Sequence, residues 1–288
     1  MKIAHDPGAL ERRPRAVAIG TFDGVHVGHR AVVRAAVDTG LTPTVVTFDP
    51  HPRAVLGRPV ELLSSLERRL ELLADCGVEE TLVVHFTHDV ASLPPETFAR
   101  EFLLAIGTEI VVAGAGFRFG RGRSGDLELL QSLEIDARTV PLLEGVSSSR
   151  IRDLASAGDV ESAAQLLGRA VEVEGEVVGG DRRGAGLGFP TANLAVPANL
   201  LVPAFGIYAG ATDDARAAVS IGVNPHFGAG ERRVEAFLLD WSGDLYGRRL
   251  VVELWRRLRD EQAFASDDDL AAQIARDVEE TRAATRPV

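Results

Sequence analysis

Lysine is nearly missing from this 288-residue chain, in which Lys2 is the only copy. A Walker-type phosphate loop needs a lysine at the phosphates, so any ATP chemistry here must run on backbone amides, arginine, histidine and metal. Cysteine is as scarce. Cys76 stands alone, which excludes an internal disulfide framework or a cysteine-built metal cluster and leaves it as a small apolar residue near a helix end. No stretch approaches the roughly 18 apolar residues of a membrane helix, and the start of the chain lacks the apolar core of a signal peptide. A cytoplasmic protein without membrane attachment is therefore expected. The net charge of −11 speaks against nucleic-acid binding, which draws on clustered cations. With 45% hydrophobic and 25% charged residues, the composition suits two domains, each with its own core.

What is present falls into two patterns. From residue 16 to about 143, short apolar runs at 16–19, 44–48, 81–86, 109–113 and 138–142 alternate with helical patterns at 30–37, 66–75, 95–105 and 126–132. Runs of nearly continuous apolar character suit buried parallel strands. Ser64-x-x-Glu67 reads as a capping box and Gly77 as a helix stop. The alternation predicts a doubly wound α/β domain with ligands beyond the carboxyl ends of its strands. A further short helix is expected at 159–167, and Gly168-Arg169 marks the boundary between domains 1–168 and 169–288. Beyond it, period-two runs at 171–178, 206–211, 217–222, 234–239 and 250–254 are separated by glycine turns and predict a small antiparallel barrel. Leu270, Ile274 and Val278 at helical spacing predict a closing helix over 267–284. The N-terminal tip, with its arginines, proline and aspartate, reads as disordered.

The first chemical signal is Ala18-Ile-Gly-Thr-Phe-Asp-Gly-Val-His-Val-Gly-His29, a strand, loop and helix start. Gly20, Gly24 and Gly28 let the backbone approach a bulky anion, and the free N–H groups of a helix start offer it positive potential. His26 and His29 add donors that follow charge growing on a transferring phosphate. The plainer alternatives are exposed loop histidines, or a zinc site completed by Asp23. Two more loops follow strands: Phe48-Asp-Pro-His-Pro52, and a glycine-rich loop holding Arg118, Arg121 and Arg123, which is a surface loop or an anion contact. Ser147, Ser148 and Ser149 open a helix with Arg150 and Arg152, either as N-caps or as a triphosphate grip.

The barrel has its own candidate in Gly179-Gly-Asp-Arg-Arg-Gly-Ala-Gly-Leu-Gly-Phe-Pro-Thr-Ala-Asn193. In an extended segment Thr191 and Asn193 face one side, where both meet one Mg²⁺ or one nucleotide, with 179–188 as a lid. Glu235 sits in a strand of imperfect alternation. It is a surface glutamate, or an inward carboxylate serving as general base for attack on a γ-phosphate.

Taken in order, Gly20-Thr-Phe-Asp-Gly-Val-His-Val-Gly-His29, Thr47-Phe-Asp-Pro-His-Pro52, Phe117-Arg-Phe-Gly120, Ser147-Ser-Ser-Arg-Ile-Arg152, Gly188-Phe-Pro-Thr-Ala-Asn193, Gly206-Ile-Tyr208, Ile221-Gly-Val-Asn-Pro225, Asp244-Leu-Tyr-Gly247 and Leu258-Arg-Asp-Glu-Gln-Ala-Phe264 form a specific set. It resembles the bacterial bifunctional riboflavin kinase/FAD synthetase (FMN adenylyltransferase) family over nearly the whole chain. The resemblance implies a Rossmann-like nucleotidyltransferase domain followed by a riboflavin kinase-like antiparallel β-barrel with a closing helix. It implies ATP, riboflavin and FMN as substrates, no nucleic-acid partner, and no stated oligomer. His26 and His29 would stabilise adenylyl transfer, with Gly20, Phe22, Asp23, Gly28, Ser147, Ser148, Ser149 and Arg150 around the nucleotide. In the barrel, Gly188, Thr191 and Asn193 would bind MgATP, the metal resting on Thr191 and Asn193, and Glu235 would be the kinase base. Asp49, Phe117, Phe119, Arg259 and Phe264 would contact flavin. Gly116 departs from the family pattern, which has Asn or Asp there. That departure favours one rival reading, a riboflavin kinase alone with a weakened or altered adenylyltransferase domain; a separate, less favoured reading is a sensor of flavin or nucleotide that turns nothing over.

Overall fold

Apolar strands buried on both faces need helices above and below, and the first unit, Met1–Ser147, supplies them. The structure is a computed structural model that describes residues 1–179, 189–223 and 232–288. Six parallel strands, β1 (Lys2–Ala4), β2 (Arg15–Ile19), β3 (Thr42–Asp49), β4 (Glu80–His85), β5 (Thr108–Gly114) and β6 (Asp136–Val140), form a sheet in the order β1-β4-β3-β2-β5-β6. Its helices are α1 (Val27–Val37), α2 (Pro52–Val55), α3 (Leu66–Asp75), α4 (His88–Ser92), α5 (Pro95–Phe98) and α6 (Leu127–Ser132). Although β2 is apolar after Arg15, its side chains still alternate. Ala16 and Ala18 pack with Val32, Val33, Leu72 and Leu73 of α1 and α3, while Val17 and Ile19 join Phe98, Leu103 and Leu130 on the other face. Under the sheet, the fully buried Arg15 donates from Nε to Glu80 Oε2 at 2.8 Å.

Four local expectations are corrected. The N-terminal tip is ordered: β1 pairs with β4, Ala4 opposite Leu82, and Lys2 Nζ donates to the Ala9 carbonyl at 2.8 Å. Three residues with two exposed side chains carry no readable period. Helix α1 starts at Val27 rather than residue 30, because a histidine caps it. The cap of α3 is Ser65, whose Oγ accepts from the Arg68 N–H, while Ser64 is buried and accepts from the Gly24 N–H at 3.3 Å. The helix expected over 95–105 breaks after Phe98 into a π turn at Ala99–Leu103 and a 3₁₀ turn at Leu104–Ile106.

The second unit, Ser148–Val288, opens with α7 (Ser148–Ser156) and α8 (Val160–Leu167). Then follow β7 (Val171–Val178), β8 (Ala192–Ala195), β9 (Gly206–Ala211), β10 (Arg216–Val223), β11 (Arg232–Leu238), β12 (Arg249–Arg259) and α9 (Asp267–Ala283). The six strands close into an antiparallel barrel in the order β10-β11-β8-β7-β12-β9. Registers carry one apolar face continuously around it: Val173 pairs with Val252, Leu194 with Val234, Ala236 with Val219 and Val219 with Tyr208, all buried. That face is the barrel interior. Strand crowding fixes Gly210, where a Cβ would sit 1.8 Å from the Glu253 carbonyl oxygen. The expected closing helix is α9, capped by Ser266 with Asp267, Asp268 and Asp269 in its first turn, where the helix dipole favours negative charge.

Candidate active site

The histidines are placed by an unusual stretch of backbone. Between β2 and α1, Phe22 and Val25 hold φ of +49° and +39°, with Gly24 at +80° between them. Bulky residues rarely take the left-handed region, and here burial holds them in it: Phe22 is 2% exposed and Val25 not at all. His26 follows as the cap of α1, its Nδ1 accepting from the His29 N–H at 3.2 Å. The two imidazoles stack with centroids 3.5 Å apart and planes 15° from parallel, and the Phe22 ring meets His29 edge-on at 5.3 Å. Gly28 makes room for this, since a Cβ there would lie 3.2 Å from the His26 ring. Gly20 similarly faces the Phe22 ring, its missing Cβ at 3.4 Å.

Asp23 is fully buried and accepts the Leu63 N–H at 2.9 Å, tying this loop to the approach to α3. From α3 comes a residue the sequence reading missed. Arg69 is fully buried and donates from Nη1 to the Phe48 carbonyl at 3.1 Å and to Thr47 Oγ1 at 3.4 Å. Its pKa is lowered by burial, against which Asp23 and Asp49 act. His29 is held well below its ordinary value, first by burial, then by the charges of His26 and Arg69. It is therefore neutral at pH 7.

Asp49 ends β3 and is joined to Pro50 by a cis peptide bond. Phe117 and Phe119 stack at 5.7 Å, and the buried Phe119 packs on Phe98 at 5.8 Å, so one ring of the pair belongs to the core. Gly116 has φ +77° and nothing within 4 Å of a notional Cβ. Ser147 ends the first unit, and Ser148, Ser149 and Arg150 open α7 in the second.

On the barrel, Asn193 of β8 lies opposite Glu235 of β11. Thr191 Oγ1 donates to Glu235 Oε1 at 3.3 Å. Arg233, two residues before Glu235 and so on the same face, donates from Nε to Asn193 Oδ1 at 3.3 Å and from Nη2 to Glu235 Oε1. The inward carboxylate is corrected: Glu235 alternates with the buried Val234 and Ala236 and so faces outward from the barrel. It does not face bulk water, its side chain being 20% exposed. A cavity of about 810 Å³ lies over it, walled by Phe189, Ile207, Ser220 and Phe237 and roofed by 259–267 with Leu270, Ile274 and Asp277. Arg259 pairs with the buried Asp277 at 2.7 Å and stands 5.9 Å over the Phe264 ring. Glu261, in the same roof, has its pKa raised by burial, with Arg259 acting the other way. Thr191 also lines a second cavity of about 340 Å³ with Pro190, Trp241, Asp244 and Tyr246. Gly188 lies outside the described residues, as does most of the segment before it. Among the described residues no group of three or more His, Cys, Asp or Glu is arranged for a metal ion.

Comparison with known proteins bears on both sets. Residues 9–149 match a family model described as FAD synthetase, and residues 167–285 one described as riboflavin kinase. A bifunctional riboflavin kinase/FMN adenylyltransferase of Listeria monocytogenes is 35% identical, the match covering 93% of this chain and 92% of that protein. The Escherichia coli K12 protein of the same description is 35% identical, with 96% of each chain covered. A crystal structure from Streptococcus pneumoniae, described as a macrolide-efflux protein, superposes with a TM-score of 0.86 at 31% identity, covering 97% of this chain and 98% of that one. In the present chain no helix among the described residues is long and apolar enough to cross a membrane.

Proposed function

The chain belongs to the bifunctional riboflavin kinase/FMN adenylyltransferase family, and from that premise we propose how its residues divide the two reactions. The enzyme phosphorylates riboflavin to FMN with ATP and adenylylates FMN to FAD with release of pyrophosphate. The observation that carries our division is that each unit holds a reactive set of its own: stacked His26 and His29 in the first, and Glu235 with Thr191, Asn193 and Arg233 in the second.

In the kinase, residues 169–288, the ribityl 5′-hydroxyl loses its proton to Glu235 as its oxygen attacks the γ-phosphorus and ADP leaves. Riboflavin occupies the larger cavity, whose Phe189 and Phe237 rings suit a flat aromatic ring system, with Arg259 and Phe264 at its roof. ATP occupies the smaller cavity on the other side of Thr191. The oxygens of Thr191 and Asn193 are hard donors that suit Mg²⁺, which would be held there and supply charge neutralisation at the phosphates. Arg233 occupies the Asn193 oxygen in this structure, so it moves aside to pair with phosphate when MgATP binds. Gly188 and the lid before it are assigned to nucleotide by the family motif.

In the adenylyltransferase, residues 1–168, a phosphate oxygen of FMN attacks the α-phosphorus of ATP and pyrophosphate leaves. His26 and His29 donate hydrogen bonds to the charge that builds on the transferring phosphoryl group. Gly20, Phe22, Asp23 and Gly28 shape the loop around the nucleotide, Asp49, Phe117 and Phe119 contact the flavin, and Ser147 to Arg150 are assigned to nucleotide by the family motif alone. The kinase-only reading, which rested on Gly116, and the sensor reading are not supported by the family matches. The left-handed backbone at 116 is one that Gly, Asn and Asp share, so the loop conformation survives without the side chain. The cytoplasm is the proposed location, and the net charge of −11 supports the absence of a nucleic-acid partner.

Incubating the protein with riboflavin and MgATP and separating the flavins tests the whole reading. FMN should appear first and FAD after it; FMN accumulating with no FAD, even when FMN is supplied, would overturn it.

A further inference from the structure

Helix α9 does more than close the barrel. Its Asp277 lines the larger cavity and is only 4% exposed. The carboxylate accepts from Arg259 Nε at 3.0 Å, from Arg259 Nη2 at 2.7 Å and from Gln273 Nε2 at 2.9 Å. One turn on, the buried Thr281 hydroxyl donates to the Asp277 carbonyl at 2.8 Å, so the backbone that carries the carboxylate is held as well. Arg259 reaches this place through an irregularity in the sheet. Arg257 pairs with Tyr208 and Arg259 with Ile207, so β12 advances two residues where β9 advances one. A bulge of this kind re-aims the side chain beyond it, and here Arg259 and Ile207 both line the cavity. The guanidinium stands 5.9 Å over the Phe264 ring and donates from Nη1 to the Asp260 carbonyl at 2.9 Å. Of its five N–H groups, two are left without a partner among the described residues, one on each terminal nitrogen.

We propose that Asp277 is a positioning residue for riboflavin phosphorylation, fixing Arg259 so that its two remaining N–H groups meet a pair of neighbouring acceptors on the flavin ring system. This rests on the assignment of the larger cavity to riboflavin. The ring system offers two such pairs: N1 with the C2 carbonyl oxygen, and N5 with the C4 carbonyl oxygen. It is also uncharged. A bare guanidinium desolvated against a neutral ligand is costly, whereas one whose charge is met by a buried carboxylate keeps its donors and loses that cost. Arginine is a rotamer-rich side chain, and holding it in one orientation before the ligand arrives removes an ordering cost from binding. An ion pair that merely tied α9 to the barrel would not need to stand in the cavity wall.

Kinase rates of the full chain with riboflavin, 1-deazariboflavin and 5-deazariboflavin test this. In the wild type, KM should be about three- to tenfold higher for the analogue lacking the nitrogen that Arg259 meets, and close to that of riboflavin for the other. Asp277→Asn should raise the riboflavin KM about tenfold, with kcat and the KM for ATP little changed, and should erase the preference for riboflavin over that analogue. Adding Arg259→Gln to Asp277→Asn should cost little more, because both changes remove the same contact. A structural aspartate would instead alter kcat and both KM values and leave the analogue preference intact. Should Asp277→Asn not fold, the wild-type analogue comparison decides together with Gln273→Leu, which removes one hydrogen bond to the carboxylate and should shift the riboflavin KM the same way by a smaller factor. A folded Asp277→Asn with the wild-type riboflavin KM, or a wild type that treats both analogues like riboflavin, overturns the proposal. Failure of the cavity assignment would show separately, as an Arg259→Gln enzyme whose riboflavin KM is that of the wild type.

Discussion

The stacked histidines of the first unit and the polar set around Glu235 on the barrel are both proposed to handle ATP, but they are built by different means. His26 and His29 are set by backbone: a turn through left-handed Phe22 and Val25, a ring capping α1, and a glycine that leaves space for that ring. Glu235, Asn193, Thr191 and Arg233 are set by strand register, which brings four polar side chains from two antiparallel strands to one outward face. The backbone-set site depends on residues that do no chemistry, because each fixes a dihedral or a contact. The register-set site depends on its charged groups, because any sheet with this pairing would present them.

Five substitutions break or sharpen that contrast. The largest effect is expected from Glu235→Gln, which keeps shape and register but removes the base. Riboflavin phosphorylation should fall by about 10²–10⁴-fold while FAD formation from supplied FMN continues, as product rates from each substrate will show. Next, His29→Ala should lower FAD formation by about 10²–10³-fold and spare FMN formation; equal loss of both steps would contradict the division. A smaller loss, about tenfold in FAD formation, is expected from Gly28→Ala, whose methyl group displaces the His26 ring. Ala at a neighbouring outward barrel position, Ser220→Ala, serves as the contrast and should leave FAD formation unchanged. The mildest is Gly116→Asn, which the left-handed backbone accepts without a clash. One added hydrogen bond contributes about 0.5–1.5 kcal/mol, so the KM for FMN should fall by roughly three- to tenfold with kcat little changed.

Both sites were partly legible in the sequence. Continuous apolar runs against alternating ones separated the parallel sheet from the barrel, because the first kind of strand is covered on both faces and the second on one. β8 escaped notice because four residues carry too short a period; Thr191, just before it, and Asn193, within it, reach Glu235 and Arg233 of β11. The start of α1 was misread because histidine is not among the usual caps. Arg69 was invisible for a different reason. In Leu66-Glu-Arg-Arg-Leu-Glu-Leu-Leu73 it looks like one charge among several on a solvated helix face, and nothing local distinguishes it from the half-exposed Arg68.

Sequence alone determined the two-part plan, the absence of lysine from the phosphate chemistry, and the residue types gathered in each reactive set. Only tertiary structure decided that Arg69 is buried against the end of β3, and that Glu235 faces out of the barrel into a roofed cavity. Periodicity tells which residues share a face of a strand or helix. What covers that face is fixed by segments distant in the chain, here α3 against the end of β3 and 259–267 over β11, and their approach leaves no mark on the local pattern.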